Sequence, residues 1–90
     1  MIRVINLDDE NIISFDKACN TYCLKRFLVA KDNIECFIVF DRLYNSEKRI
    51  YYLVSNVSHE IKRTICEPSA RHVIKLLLSE GYKVYVDNED

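Results

Sequence analysis

The sequence predicts an α+β fold, with a mostly antiparallel sheet and two helices packed on one of its faces. Three observations predict it. Apolar residues recur at helical spacing in two well-separated segments, Ile12 to Cys23 and Ala70 to Leu78. Between them lie segments rich in Phe, Val, Ile and Tyr, broken by pairs of turn-forming residues. Short β-branched segments also stand near both ends, so the order reads β-α-β-β-β-(β)-α-β.

Residues 2 to 6 (Ile-Arg-Val-Ile-Asn) are β-branched in character and read as a first strand, stopped by the polar and acidic residues that follow. From there Ile12, Phe15, Cys19 and Tyr22 fall on one helical stripe, and the acids at its start suit the positive end of a helix dipole. A helix is expected over residues 9 to 21. Leu24 to Lys31 and Ile34 to Tyr44 then read as two strands, because Asp32-Asn33 between them tolerates the left-handed backbone of a two-residue hairpin turn. Arg49 to Ser55 completes a meander. Its middle strand is apolar on both faces, so it needs a helix on one side and side-chain or partner contacts on the other.

Residues 57 to 66 fit two readings. Val57, Ile61 and Ile65 alternate with polar residues as in a strand, while Ser58 could cap a short helix; strand is the reading adopted. Pro68 stands where a helix begins, Val73, Ile74, Leu77 and Leu78 form its stripe, and Gly81 ends it. Tyr82 to Val86 follows as a last strand.

The sequence has 90 residues, of which 49% are apolar. A chain of this length buries roughly 60–65% of its unfolded surface, enough for a single core, so residues 1 to 90 read as one small globular domain. The 30% charged content and net charge of −1 argue against disorder. No apolar run approaches the roughly 18 residues of a membrane-spanning helix. Residues 1 to 10 lack the apolar stretch of a signal peptide, which points to the cytoplasm, where Cys19, Cys23, Cys36 and Cys66 would remain thiols.

Chemistry-bearing motifs are few. With Gly81 as its one glycine, the chain carries neither a phosphate loop nor a dinucleotide fingerprint. Cys19-x3-Cys23 lacks the two-residue knuckle of structural zinc sites and extends an apolar helix face, so these thiols, like Cys36, read as small core residues. Cys66 with His72 is the one conceivable thiol and base pair, and their spacing fits chance better. Ser14-x-x-Lys17 has the letters of a serine and lysine pair without its companion motifs. No metal, cofactor or catalytic residue is expected.

Charge and tyrosine placement say more. Residues 1 to 16 carry −3, residues 17 to 86 carry +5 and residues 87 to 90 carry −3. Tyrosine and arginine dominate protein-interface hot spots, and the meander region supplies Tyr44, Arg49, Tyr51 and Tyr52, with Tyr82 and Tyr85 further on. Neighbours in a strand point opposite ways, so only one of Tyr51 and Tyr52 faces outward.

The expected function is therefore that of a small non-enzymatic protein-binding domain: a regulator, inhibitor or adaptor of the sort that phages and other mobile elements carry against a host enzyme. The exposed face or edge of the meander is its expected contact surface, and an uncovered strand edge also allows a homodimer. The alternative is a nucleic-acid-binding module using Lys25, Arg26, Arg42, Lys48, Arg49, Lys62 and Arg63 beside the tyrosines.

Overall fold

A computed structural model describes residues 2–18, 27–41 and 49–87 of the chain. Its elements are β1 (Ile2–Val4), α1 (Glu10–Ala18), β2 (Phe27–Lys31), β3 (Ile34–Asp41), β4 (Arg49–Ser55), β5 (Ile61–Glu67), α2 (Ala70–Ser79) and β6 (Lys83–Asp87). The six strands form one sheet in the order β1-β6-β2-β3-β4-β5, with every neighbouring pair antiparallel. β6 is inserted between β1 and β2, so the chain crosses the sheet from β5 to reach its place.

Local chemistry explains the boundaries. Asn6 accepts from the Asp8 amide at 3.0 Å, and Asp9 accepts from the Asn11 amide at 2.8 Å, which organises the turn into α1 and satisfies a free donor of its first turn. The predicted hairpin turn forms at Asp32 and Asn33, whose φ angles of 53° and 65° are both left-handed. Helix α2 opens at Ser69, whose hydroxyl accepts from the His72 amide. It closes in a Schellman motif, in which Gly81 at φ 92° lets its own amide reach Leu78 and the Tyr82 amide reach Leu77.

One expectation shifts. The strand expected from residue 57 starts at Ile61, and Val57 is 89% exposed at a hairpin tip. The cause is Ser55, a buried residue whose hydroxyl accepts from the amides of both Val57 and Ser58 and so folds residues 56 to 60 into a turn. The expected stretches 19–21, 24–26 and 42–44 lie outside the described residues.

Both helices pack on one face of the sheet. Ile12 and Phe15 of α1 and Ala70, Val73, Ile74 and Leu77 of α2 meet Phe27, Val29, Cys36, Ile38, Tyr51, Leu53, Ile65, Val84 and Val86 from the strands in a single core. Phe15 sits at its centre, edge-on to Phe27 at 4.7 Å and to Phe40 at 6.3 Å between ring centroids. Asp16 ties the layers together: its carboxylate accepts from the Ala70 amide at the start of α2, and its carbonyl accepts from Arg49 of β4 at 3.5 Å. Arg71 reaches back from α2 to the Leu7 carbonyl. Among the described residues no helix is long and apolar enough to cross a membrane.

Candidate protein interface

Side chains alternate across a strand, so the core positions define the residues that face the other way. In β2 the core takes Phe27 and Val29, leaving Leu28 and Ala30 opposite; in β3 it takes Cys36 and Ile38, leaving Glu35, Phe37 and Val39. In β4 it takes Tyr51 and Leu53, leaving Ile50, Tyr52 and Val54; in β6 it takes Val84 and Val86, leaving Lys83 and Tyr85.

The register lines these residues up. Val4 stands opposite Tyr85, Tyr85 opposite Leu28, Leu28 opposite Phe37, Phe37 opposite Val54 and Val54 opposite Ile61. This is a row of six apolar or aromatic residues, one from each strand. At 4.8 Å per strand it runs about 24 Å across the face that the two described helices leave bare. Val4 is 61% exposed and Ile61 59% exposed at its ends, and Val39 is 42% exposed beside it. Between these ends Leu28, Phe37, Val54 and Tyr85 are half-buried.

Its borders are polar. Towards the hairpin tips a second row holds Lys83, Ala30 and Glu35 as successive cross-strand partners. Lys83 and Glu35 border a polar hollow of about 480 Å³ that Tyr85 also lines. On the other side Tyr52 donates its hydroxyl to Asp41 at 2.9 Å, a bond to the neutral phenol that raises its pKa above the ordinary value.

The structure distributes the sequence-chosen residues unevenly. Tyr52 lies on the open face, half buried. Tyr51 does not: it is fully buried in the core beneath Phe15, because alternation sends it to the helix side. Arg49 shares that side and bonds α1 rather than facing outward. Tyr44, Lys25, Arg26, Arg42 and Lys48 lie outside the described residues. Lys62 pairs with Glu60 at 3.3 Å, and Arg63 forks onto both carboxylate oxygens of Glu80 at 2.5 and 2.9 Å. Of the later tyrosines, Tyr85 joins the open row, while the Tyr82 ring lies 5.2 Å from the Lys31 ammonium at the end of the sheet.

Sequence reasoning passed over Leu28, Phe37, Val39, Val54 and Ile61, since it weighted tyrosine and arginine as hot-spot residues and gave single aliphatic or Phe residues no such weight. The signal that could have found them was the middle strand's apolar character on both faces.

The Arg63–Glu80 fork fastens edge strand β5 to the end of α2, and the guanidinium holds the Glu80 carboxyl below its ordinary pKa of 4.5. A carboxyl depressed in the folded state adds stability that is complete above its ordinary value and is lost as pH falls through the folded one. In urea titrations from about pH 7 to about pH 3, Glu80→Gln is therefore expected to lose less of its stability on acidification than the parent chain. Equal losses would remove the fork as a contributor.

The remaining chemistry is sparse. Cys36 lines a hollow of about 350 Å³ with Leu53, Arg63 and Tyr82, and burial pushes its thiol up, so it stays protonated near neutral pH. Cys66 is exposed opposite Ile50 on the open face, whereas His72 lies on α2 with its Nδ1 2.7 Å from the Ser69 hydroxyl. The sheet stands between them. Among the described residues no group of three or more His, Cys, Asp and Glu side chains could hold a metal ion. Comparison with known protein families, with curated proteins and with solved structures finds no match.

Proposed function

We propose that this is a non-enzymatic, cytosolic protein-binding domain, acting as a regulator, inhibitor or adaptor, and that the open sheet face is its contact surface. The observation that carries the reading is the apolar row crossing all six strands on the face that the two described helices leave bare. In a sheet that meets water on one side, the outer positions are ordinarily polar. Here they carry Leu28, Phe37, Val39, Val54 and Tyr85, a pattern that favours a covered face. Cys36 and Cys66 are free thiols, in keeping with a reducing compartment.

The described cations favour protein over nucleic acid as the partner. Arg49, Lys62 and Arg63 are each engaged within the chain, and among the described residues the cross-strand row from Val4 to Ile61 carries no charged side chain.

A photo-crosslinking residue placed at Val39, and in a second protein at the exposed Lys75 of α2, tests the reading in the cells that encode the chain. Crosslinks to protein from position 39, resistant to high salt and absent from position 75, are expected. Crosslinks to nucleic acid, or equal yields from both positions, would contradict it.

A further inference from the structure

We infer that the hollow beside the β2–β3 hairpin is a binding site for a small amphipathic anion, an apolar or aromatic body carrying one carboxylate. The hollow lies on the helix side of the sheet, so the inference stands apart from the reading of the open face.

Alternation decides what the hollow presents. Cys36 and Leu53 are core positions of β3 and β4, and Ile34, two residues before Cys36, projects to the same side. Lys31 donates to the Glu80 carbonyl at 2.8 Å, so this end of the sheet extends past the last turn of α2. There the helix no longer covers the strands, and a space of about 350 Å³ opens, lined by both lysines Lys31 and Lys62 as well as by Arg63, Tyr82 and the apolar floor. Small-molecule sites begin at about 300 Å³ and combine an apolar lining with a few polar groups.

The charge on the lining has one dominant sign. Lys31, Lys62 and Arg63 stand against Asp32, while Glu60 and Glu80, which pair with Lys62 and Arg63, lie off it. Arg63 spends its fork on Glu80 and serves as wall. The two lysines are different. An ammonium has three donors, and among the described residues Lys31 places one on the Glu80 carbonyl and Lys62 one on Glu60, so each keeps donors for an anion. Cys36 does not compete as an anion, because burial pushes its thiol up; Lys62 pulls it the other way, which shows that the field of this ammonium reaches the floor. A buried apolar floor beneath two ammonium groups fits a ligand with both parts. An inorganic anion would leave Cys36, Leu53 and the Tyr82 ring uncovered, and a neutral hydrocarbon would leave the lysines unanswered.

Titration of the isotope-labelled chain with naphthoate, followed by amide chemical shifts, tests this. Naphthalenemethanol supplies the same body without the charge, and acetate the charge without the body. Naphthoate is expected to bind with a dissociation constant of about 0.1–1 mM and to shift the amides of Ile34, Cys36, Leu53 and Arg63 most. The alcohol and acetate are each expected to bind at least about tenfold more weakly. Lys62→Gln, at an exposed position, is expected to weaken naphthoate about threefold, and the double variant Lys31→Gln, Lys62→Gln about tenfold, with circular dichroism confirming the fold. Equal affinity for naphthoate and the alcohol, shifts centred on Val39 and Val54 instead, a Lys62→Gln variant that binds as the parent chain does, or no saturation by about 10 mM would each overturn the site.

Discussion

Phe15→Ala is expected to cost about 3–5 kcal/mol of stability, enough to leave a domain of this size largely unfolded at room temperature. The ring is 1% exposed and is the meeting point of α1 with three strands, touching Phe27 of β2, Phe40 of β3 and Tyr51 of β4. Truncation removes both the burial of the ring and its edge-on contacts, and the surrounding rigid sheet has little freedom to close the void. Urea unfolding gives the number directly. A loss under about 1 kcal/mol would mean that α1 does not hold its place on the sheet.

The second large effect is a contrast between neighbours. Leu53→Asp is expected to abolish folding, since residue 53 is 2% exposed beneath the helices, its cross-strand neighbour Arg63 is already held by Glu80, and burying a carboxylate there costs several kcal/mol. Val54→Asp, one position on, is expected to fold with a loss of about 1 kcal/mol and to abolish association through the open face. Circular dichroism of the two variants and their crosslinking yield from position 39 check both halves. If Val54→Asp unfolds as completely as Leu53→Asp, the face it occupies is part of the core rather than open.

That contrast also shows where the sequence was legible. Helix α2 could be bounded because each end has its own punctuation: Pro68 just ahead of the start, although the cap itself is Ser69, and a glycine at the end where the backbone turns left-handed. The hairpin at Asp32-Asn33 was readable for the same reason. Local rules failed at Val57, where the alternation of apolar residues suggested a strand but the Ser55 hydroxyl drew the following amides into a turn. The insertion of β6 between β1 and β2 leaves no local trace at all. It depends on Val84 and Val86 joining the covered face beside Phe27 and Val29, a contact between residues more than fifty positions apart.

The candidate site was harder to read than the fold. Period-two alternation says that Tyr51 and Tyr52 point apart, but only the placement of the helices decides which of them is buried. Weighting tyrosine and arginine as interface residues selected Tyr51 and Arg49, both of which hold the core side together. The apolar residues that build the open row are unremarkable one at a time. They become a surface once the register sets Leu28, Phe37 and Val54 side by side.

The most direct test of the open face as the working surface is hydroxyl-radical footprinting of the parent chain, compared between dilute purified protein and the cells that encode it. Protection in cells of Leu28, Phe37, Val39 and Tyr85, with unchanged labelling of Leu76 and Leu78 on the helix side, is the result predicted. Unchanged labelling of the sheet face, with protection moved to the helices, would contradict it.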